Sequence, residues 1–219
     1  MTKIAIKVEV WGAYACFSRP EFSVERVSYD VITPSAARGI IESIFWHPGL
    51  KWHINKIRVC APIQFVNIRR NEVSAKISAR NVQAAMKSGI PLYLATPDYI
   101  QQRATMALKN VRYIIEAHFS MTDQAAPGDN PGKFQDIVKR RIARGQFYSM
   151  PYLGVREFPA FFAPVTEIPP CPEDLLGERD LGYMLYDMDY SNPENIRPQF
   201  FRSIMCDGVL DLTDVEVRG

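Results

Sequence analysis

Between Val66 and Arg112 lie eight basic side chains, Arg69, Arg70, Lys76, Arg80, Lys87, Arg103, Lys109 and Arg112, against only Glu72 and Asp98. Cations strung along one stretch suit a polyanion, whose repeating phosphates supply most of the affinity of a protein that holds them. From Thr166 to the C-terminus the sign reverses, with twelve acidic residues against four basic ones, although the whole chain of 219 residues carries only +2. The two parts meet different partners, or they are simply solvated faces of opposite sign. Proton carriers are few. His118 stands two residues from Glu116 in VRYIIEAHFSM, on the same face of a regular strand, where a histidine satisfied within the sheet is the plainer reading. His47, Tyr14 and Tyr148 are the other groups that can move a proton.

Several chemistries have no foothold. There is no phosphate-binding Walker loop, no G-x-G-x-x-G, no H-E-x-x-H and no carboxylate cluster of the two-metal nuclease kind. Cys16, Cys60, Cys171 and Cys206 form no C-x-x-C pair and have no histidine at zinc-finger spacing. They read as reduced thiols serving mainly as small core hydrophobes, and neither a structural metal nor a cofactor is expected. No apolar run is long enough to cross a bilayer, and MTKIAIKVEVW lacks the pattern of a signal peptide, so a cytoplasmic protein with no membrane partner is expected.

The elements that must position these residues can be read in order. Ile4, Ile6, Val8 and Val10 alternate with Ala5, Lys7, Glu9 and Trp11, the period of a half-buried strand. Thr33-Pro34 caps a helix expected to run to about Trp46, with Ala37, Ile40, Ile41 and Ile44 inward and His47-Pro48-Gly49 as its stop. KWHINKIRVCAPIQFVNIRR reads as a strand interrupted near Pro62. Residues 67–104 are polar, basic and poor in core anchors, as a long hairpin projecting from the body would be. A strand over 111–121 follows. Asn130-Pro131 then primes a second helix from about Gly132 to Arg144, with Phe134, Ile137, Val138 and Ile142 on one side and cations around the others. A strand over 156–165 completes a strand, helix, strand, strand, helix, strand order, the split ferredoxin-like pattern. Three further strands are expected in DLGYMLYDMDY, PQFFRSIM and DGVLDL. The fold class is thus α+β. Residues 1–165 form a ferredoxin-like domain carrying the excursion at 67–104, and 166–219 a small antiparallel β-sheet region.

The runs YACFSRPEF, ERVSYDVITPSAARGIIESIFWHP, PIQF and RRNEV resemble the CRISPR-associated Cas-five family, in the variant of subtype I-C (Dvulg) Cascade complexes. The resemblance continues through QQRATMALKNVRYIIEAHF, REFPA and DLGYML, nearly the whole chain. It implies a RAMP (repeat-associated) fold whose β-hairpin thumb would be the 67–104 excursion. It also implies binding of the 5′ handle of guide RNA, contact with the backbone and large subunits of Cascade, and cleavage of precursor CRISPR RNA.

Metal-independent RNA cleavage needs a base for the 2′-hydroxyl proton, cations for the charged phosphorane and an acid for the departing 5′-oxygen. The family pattern places a Tyr near the end of the first helix and a Lys-His pair at the start of the second. On this sequence those positions are Phe45, Lys133 and Phe134. Lys133 alone matches, and the resemblance makes it the catalytic candidate. A helix start disfavours a second cation, which would help Lys133 act as a base, although a solvated lysine in a first turn is the commoner meaning of such a position. For RNA binding the candidates are Tyr14, Arg19, Arg38, Arg69, Arg70, Lys76, Arg80, Arg103 and Lys109, with Tyr14 and Phe17 as stacking surfaces. Equally, Phe17 reads as core and Tyr14 as a loop anchor. Three functions follow: an endoribonuclease that keeps its product, a non-catalytic structural cap of the complex, or a module that binds target double-stranded DNA.

Overall fold

Strand β1 (Ala5–Ala15) buries Ile6, Val8 and Val10 and leaves Lys7 and Trp11 toward solvent, as the alternation predicts. The computed structural model describes residues 5–22 and 24–219, so Ile4 lies outside the described residues. After the short β2 (Arg26–Val27), the Thr33 hydroxyl accepts from the Ala36 amide and opens α1 (Pro34–Ile44). Ala37, Ile40, Ile41 and Ile44 are all buried. The helix stops two residues before the expected Trp46. Phe45 turns extended, and its carbonyl accepts from the buried Trp52 indole N–H, an interaction that pulls the chain out of the helical path.

The interruption near Pro62 separates β3 (Leu50–Val59) from β4 (Phe65–Val73). The excursion is not a plain hairpin. It holds a helix, α2 (Ala79–Ser88), capped by the Ser78 side chain at one end and by left-handed Gly89 at the other, with no buried residue. β5 (Ile100–Met121) then returns into the body over 22 residues, roughly 70 Å of extended chain. Its outer half pairs with β4 and its inner half with β1 and β3. Asn110 sits at the join with φ of 53°, a left-handed conformation that asparagine tolerates better than most residues.

α3 (Pro131–Arg144) begins where Asn130-Pro131 predicts, its Asn130 side chain accepting from the Lys133 amide. Phe134, Val138 and Ile142 are buried, and Ile137 packs against the same core. β6 is confined to Phe161–Pro164, much shorter than 156–165, because only this part pairs with β1. β7 (Glu178–Asp189), β8 (Arg197–Cys206) and β9 (Val209–Asp211) occupy the three runs expected, and a two-residue β10 (Val217–Arg218) follows.

The strands form one large, almost wholly antiparallel sheet in the order β10-β8-β9-β3-β5-β1-β6, with β2 and β4 on β5 and β7 on β8. The C-terminal strands join the rest through β9, which pairs with β3. One core receives the inward faces of α1 and α3 together with Ile6, Val8, Val10, Tyr113, Ile115 and Ala117. That packing fixes the end of α1 against the start of α3. No helix among the described residues is long and apolar enough to cross a membrane.

Candidate catalytic cluster and nucleic-acid interface

Phe134, 1% exposed, anchors the first turn of α3. Its ring centroid lies 5.8 Å from Phe45, 6.2 Å from Phe119 and 4.8 Å from the His47 imidazole. Burial of two such rings drives the ends of α1 and α3 together, since each aromatic side chain removed from water contributes several kcal/mol, on the order of 3. The positions expected to hold a Tyr and a His are therefore a packed hydrophobic floor. Charged groups stand on it.

Lys133 Nζ is 2.9 Å from Asp129 Oδ1, and His47 Nε2 is 3.7 Å from Asp129 Oδ2. The same Asp129 Oδ2 accepts the Ala126 amide at 3.0 Å. The hydrogen bond from Lys133, followed by that from Ala126, holds the Asp129 carboxyl below its ordinary 3.8. A helix start alone suggests a Lys133 with no opposing charge; the structure puts a carboxylate on its ammonium. Sequence reasoning did not single out Asp129, although Asp129 and Lys133 stand at i and i+4 across a helix start, the usual spacing of an ion pair.

The chain before β3 is shaped to bring His47 here. The Gly49 amide donates to His47 Nδ1 at 3.0 Å. Thr122 clamps this turn, its hydroxyl donating to Pro48 O and its amide to Gly49 O. A Cβ on Gly49 would lie 2.9 Å from Ala125 Cα and 3.1 Å from His47 Nδ1, so a glycine is needed where the two loops touch. Arg141 closes the far side, donating to Ile44 O and lying over the Phe45 ring at 5.2 Å. Trp46, the residue before His47, is 59% exposed. Tyr148, 84% exposed, is tied to α1 by its amide on Ser43 O, so it reaches the same end of the molecule. His118 does not. Its ring stacks on His53 at 4.9 Å and its Nδ1 meets Asn55 Oδ1, while Glu116 pairs with Lys7 and Arg58.

The RNA-binding candidates separate into two groups. Arg19 is held by Asp30 at 2.8 Å and lies over the Tyr29 ring; Arg38 is bound to Asp187 and Glu42; Arg70 bridges Glu157 and Glu72. These arginines stitch the body together, and Arg38 ties α1 to β7. By contrast, Arg69, Lys76 and Arg80 are exposed along the excursion, joined by Lys87 on α2. Arg103 contacts Gln101 within β5. Lys109 lies opposite Tyr14 across β1 and β5, and Tyr14 packs on Phe158 while remaining 42% exposed. Phe17 is buried, which makes it core. Among the described residues, no three His, Cys, Asp or Glu side chains are grouped to hold a metal ion.

Comparison with known proteins gives a consistent result. A family described as CRISPR-associated protein (Cas_Cas5) matches residues 5–213. A protein of Mannheimia succiniciproducens named CRISPR pre-crRNA endoribonuclease Cas5d is 49% identical over 94% of each chain. A protein of Thermus thermophilus with the same name is 42% identical over 84% of this chain and 73% of its own. Among solved structures, a CRISPR-associated protein superposes with a TM-score of 0.69 at 20% identity, covering 99% of this chain and 97% of the other. A chain of a CRISPR RNA-guided surveillance complex gives 0.50 at 12% identity, over 98% and 89%. At these identities the structural likeness is one of fold.

Proposed function

Because the chain belongs to the CRISPR-associated Cas5 family, we propose that it binds the 5′ handle of guide RNA within a Cascade complex and cleaves precursor CRISPR RNA. The observation that carries this reading is the Lys133–Asp129 pair on the packed Phe45–Phe134 floor. It supplies a positioned cation at the one family position that the sequence retains. The 2′-oxygen attacks phosphorus as the bond to the 5′-oxygen breaks, without a metal ion, and the products are a 2′,3′-cyclic phosphate and a 5′-hydroxyl. The Lys133 ammonium stabilises the charged phosphorane and gives a proton to the 5′-oxygen, while the 2′-hydroxyl proton leaves to solvent.

Exposed Arg69, Lys76, Arg80 and Lys87 support the reading of 67–104 as a thumb that follows an RNA backbone, with Tyr14 and Lys109 at its root. The strand order β6-β1-β5-β3, with α1 and α3 packed in its core, supports a ferredoxin-like domain over 1–165. The acidic region 166–219 is left for protein partners or solvent, and the protein works in the cytoplasm. The reading as a non-catalytic cap rests on Phe45 and Phe134, two carbon rings where the family carries proton donors.

Incubation of a repeat hairpin with pure protein in EDTA tests the proposal. Wild type is expected to release a 2′,3′-cyclic phosphate, and Lys133→Ala to cleave about 10²–10⁴-fold more slowly with handle binding retained. Cleavage by Lys133→Ala at the wild-type rate removes this lysine from the site. No cleavage by wild type supports the cap.

A further inference from the structure

The imidazole of His47 has only one free hand. Its Nδ1 accepts a backbone N–H from Gly49 at 3.0 Å. A backbone amide can only donate, so that nitrogen must present its lone pair, and the neutral ring carries its proton on Nε2. Adding a second proton would set an N–H against the Gly49 N–H and break this bond. The Gly49–Ala125 contact and the Thr122 clamp leave the turn little room to relieve such a clash. The other side of the ring rests on Phe134. The charged groups facing His47 are Asp129, 3.7 Å from Nε2, and through Asp129 the Lys133 ammonium. His47 is about one third exposed, which leaves Nε2–H within reach of a ligand at the same opening.

We infer that His47 is a second catalytic residue, acting as a fixed Nε2–H hydrogen-bond donor to the non-bridging oxygen of the scissile phosphate, not as an acid or base. The inference rests on the cleavage reading given above. Asp129 is a positioning residue whose carboxylate holds the Lys133 ammonium, while the Gly49 amide orients Nε2–H toward the same place. At 3.7 Å Asp129 makes no hydrogen bond with Nε2–H, so an arriving phosphate finds that donor unused. His47 gains and loses no proton in the step. Negative charge that builds on the phosphorane meets a donor already in place.

Two substitutions separate donation from proton transfer. Glutamine can put an amide N–H near the position of Nε2 and cannot exchange a proton at neutral pH, whereas alanine offers nothing. Under single-turnover conditions, His47→Ala is expected to slow cleavage about 10²–10³-fold. His47→Gln is expected to recover most of that loss, with a pH–rate profile of the wild-type shape over about pH 5–8. If His47→Ala cleaves like wild type while Lys133→Ala is inactive, His47 lies outside the site and the cleavage reading stands. If His47→Gln is as slow as His47→Ala, and both lose a limb of the pH profile, His47 transfers a proton and the inference is wrong. A readout independent of cleavage is nitrogen NMR of histidine-labelled protein, with and without a repeat RNA made uncleavable by a 2′-deoxy nucleotide just upstream of the scissile phosphate. The Nε2–H tautomer in the free protein and a shift of Nε2 on binding are expected. An Nδ1–H tautomer, or an Nε2 that the RNA leaves unmoved, overturns the inference even if wild type proves inactive.

Discussion

The junction of α1 with α3 and the excursion between β4 and β5 are built on opposite principles. At the junction, Phe45 and Phe134 are buried, Arg141 caps Ile44 O, and both cation and imidazole are held against one carboxylate. On the excursion, α2 buries nothing, Met86 is 81% exposed, and Arg69, Lys76 and Arg80 extend into solvent. Bond cleavage needs groups placed to within a fraction of an ångström, and only a packed floor provides that. Holding a flexible polyanion needs many cations that can adjust, and order there would cost side-chain entropy for little gain. On the proposed function, the chain thus commits its core to the place where atoms would rearrange and its surface charge to the place where RNA would lie.

The largest contrast should appear in stability. Phe134→Ala removes a fully buried ring shared by both helices and is expected to cost about 3–5 kcal/mol in urea unfolding, whereas Met86→Ala on α2 should stay within about 0.5 kcal/mol. Equal costs would mean that α2 is as well packed as α3. Next in size, changing Arg69, Lys76 and Arg80 together to alanine should weaken handle binding. Three lost phosphate contacts should also flatten the slope of log affinity against log salt by about 2, measured by fluorescence anisotropy on single-stranded RNA. A triple variant with an unchanged slope would show that the RNA runs elsewhere. The smallest effect lies between β9 and β3. The hydrogen bond from Lys56, helped by Thr213, holds the Asp211 carboxyl at about 2, below its ordinary 3.8. A depressed carboxyl contributes stability that is fully present above its unfolded value and is lost as pH falls through the folded one. Asp211→Asn should thus narrow the stability difference between pH 5 and pH 2 slightly, and a wild-type-like acid profile would dissociate this pair from folding.

Much of this contrast could be read from residue order. The alternation from Ile4 to Trp11 and the caps at Thr33-Pro34 and Asn130-Pro131 are local signals; the strand alternates as expected from Ala5 on, and both helices open at their caps. The helix in the excursion is masked in the sequence because the polar, basic tone of 67–104 outweighs the Ser78 cap and Gly89 stop that bracket it. The length of β6 depends on where β1 offers a partner, which no local pattern encodes. At the site, Lys133 came from the resemblance, and its i, i+4 partner Asp129 was not singled out. His47, one residue beyond Trp46 at the same helix end, was legible as a group able to reach the site by a turn of the chain, but its final placing was not. Its position depends on Gly49 meeting Ala125 across some seventy-six residues of chain, a close approach that only the folded sheet creates. Likewise Arg19, Arg38 and Arg70 have the type of an RNA contact, but each is paired with a carboxylate from elsewhere in the fold, Asp30, Asp187 and Glu157, beside the local partners Glu42 and Glu72.

The most direct test of this division of labour is a crossed measurement on one repeat hairpin, with binding and single-turnover cleavage followed for Lys133→Ala and for the Arg69/Lys76/Arg80 triple variant. The account predicts that Lys133→Ala binds like wild type and does not cut, while the triple variant binds weakly and cuts at the wild-type rate once protein is saturating. If Lys133→Ala loses binding and cleavage together, or the saturated triple variant fails to cut, the two regions do not divide the work and the account is contradicted.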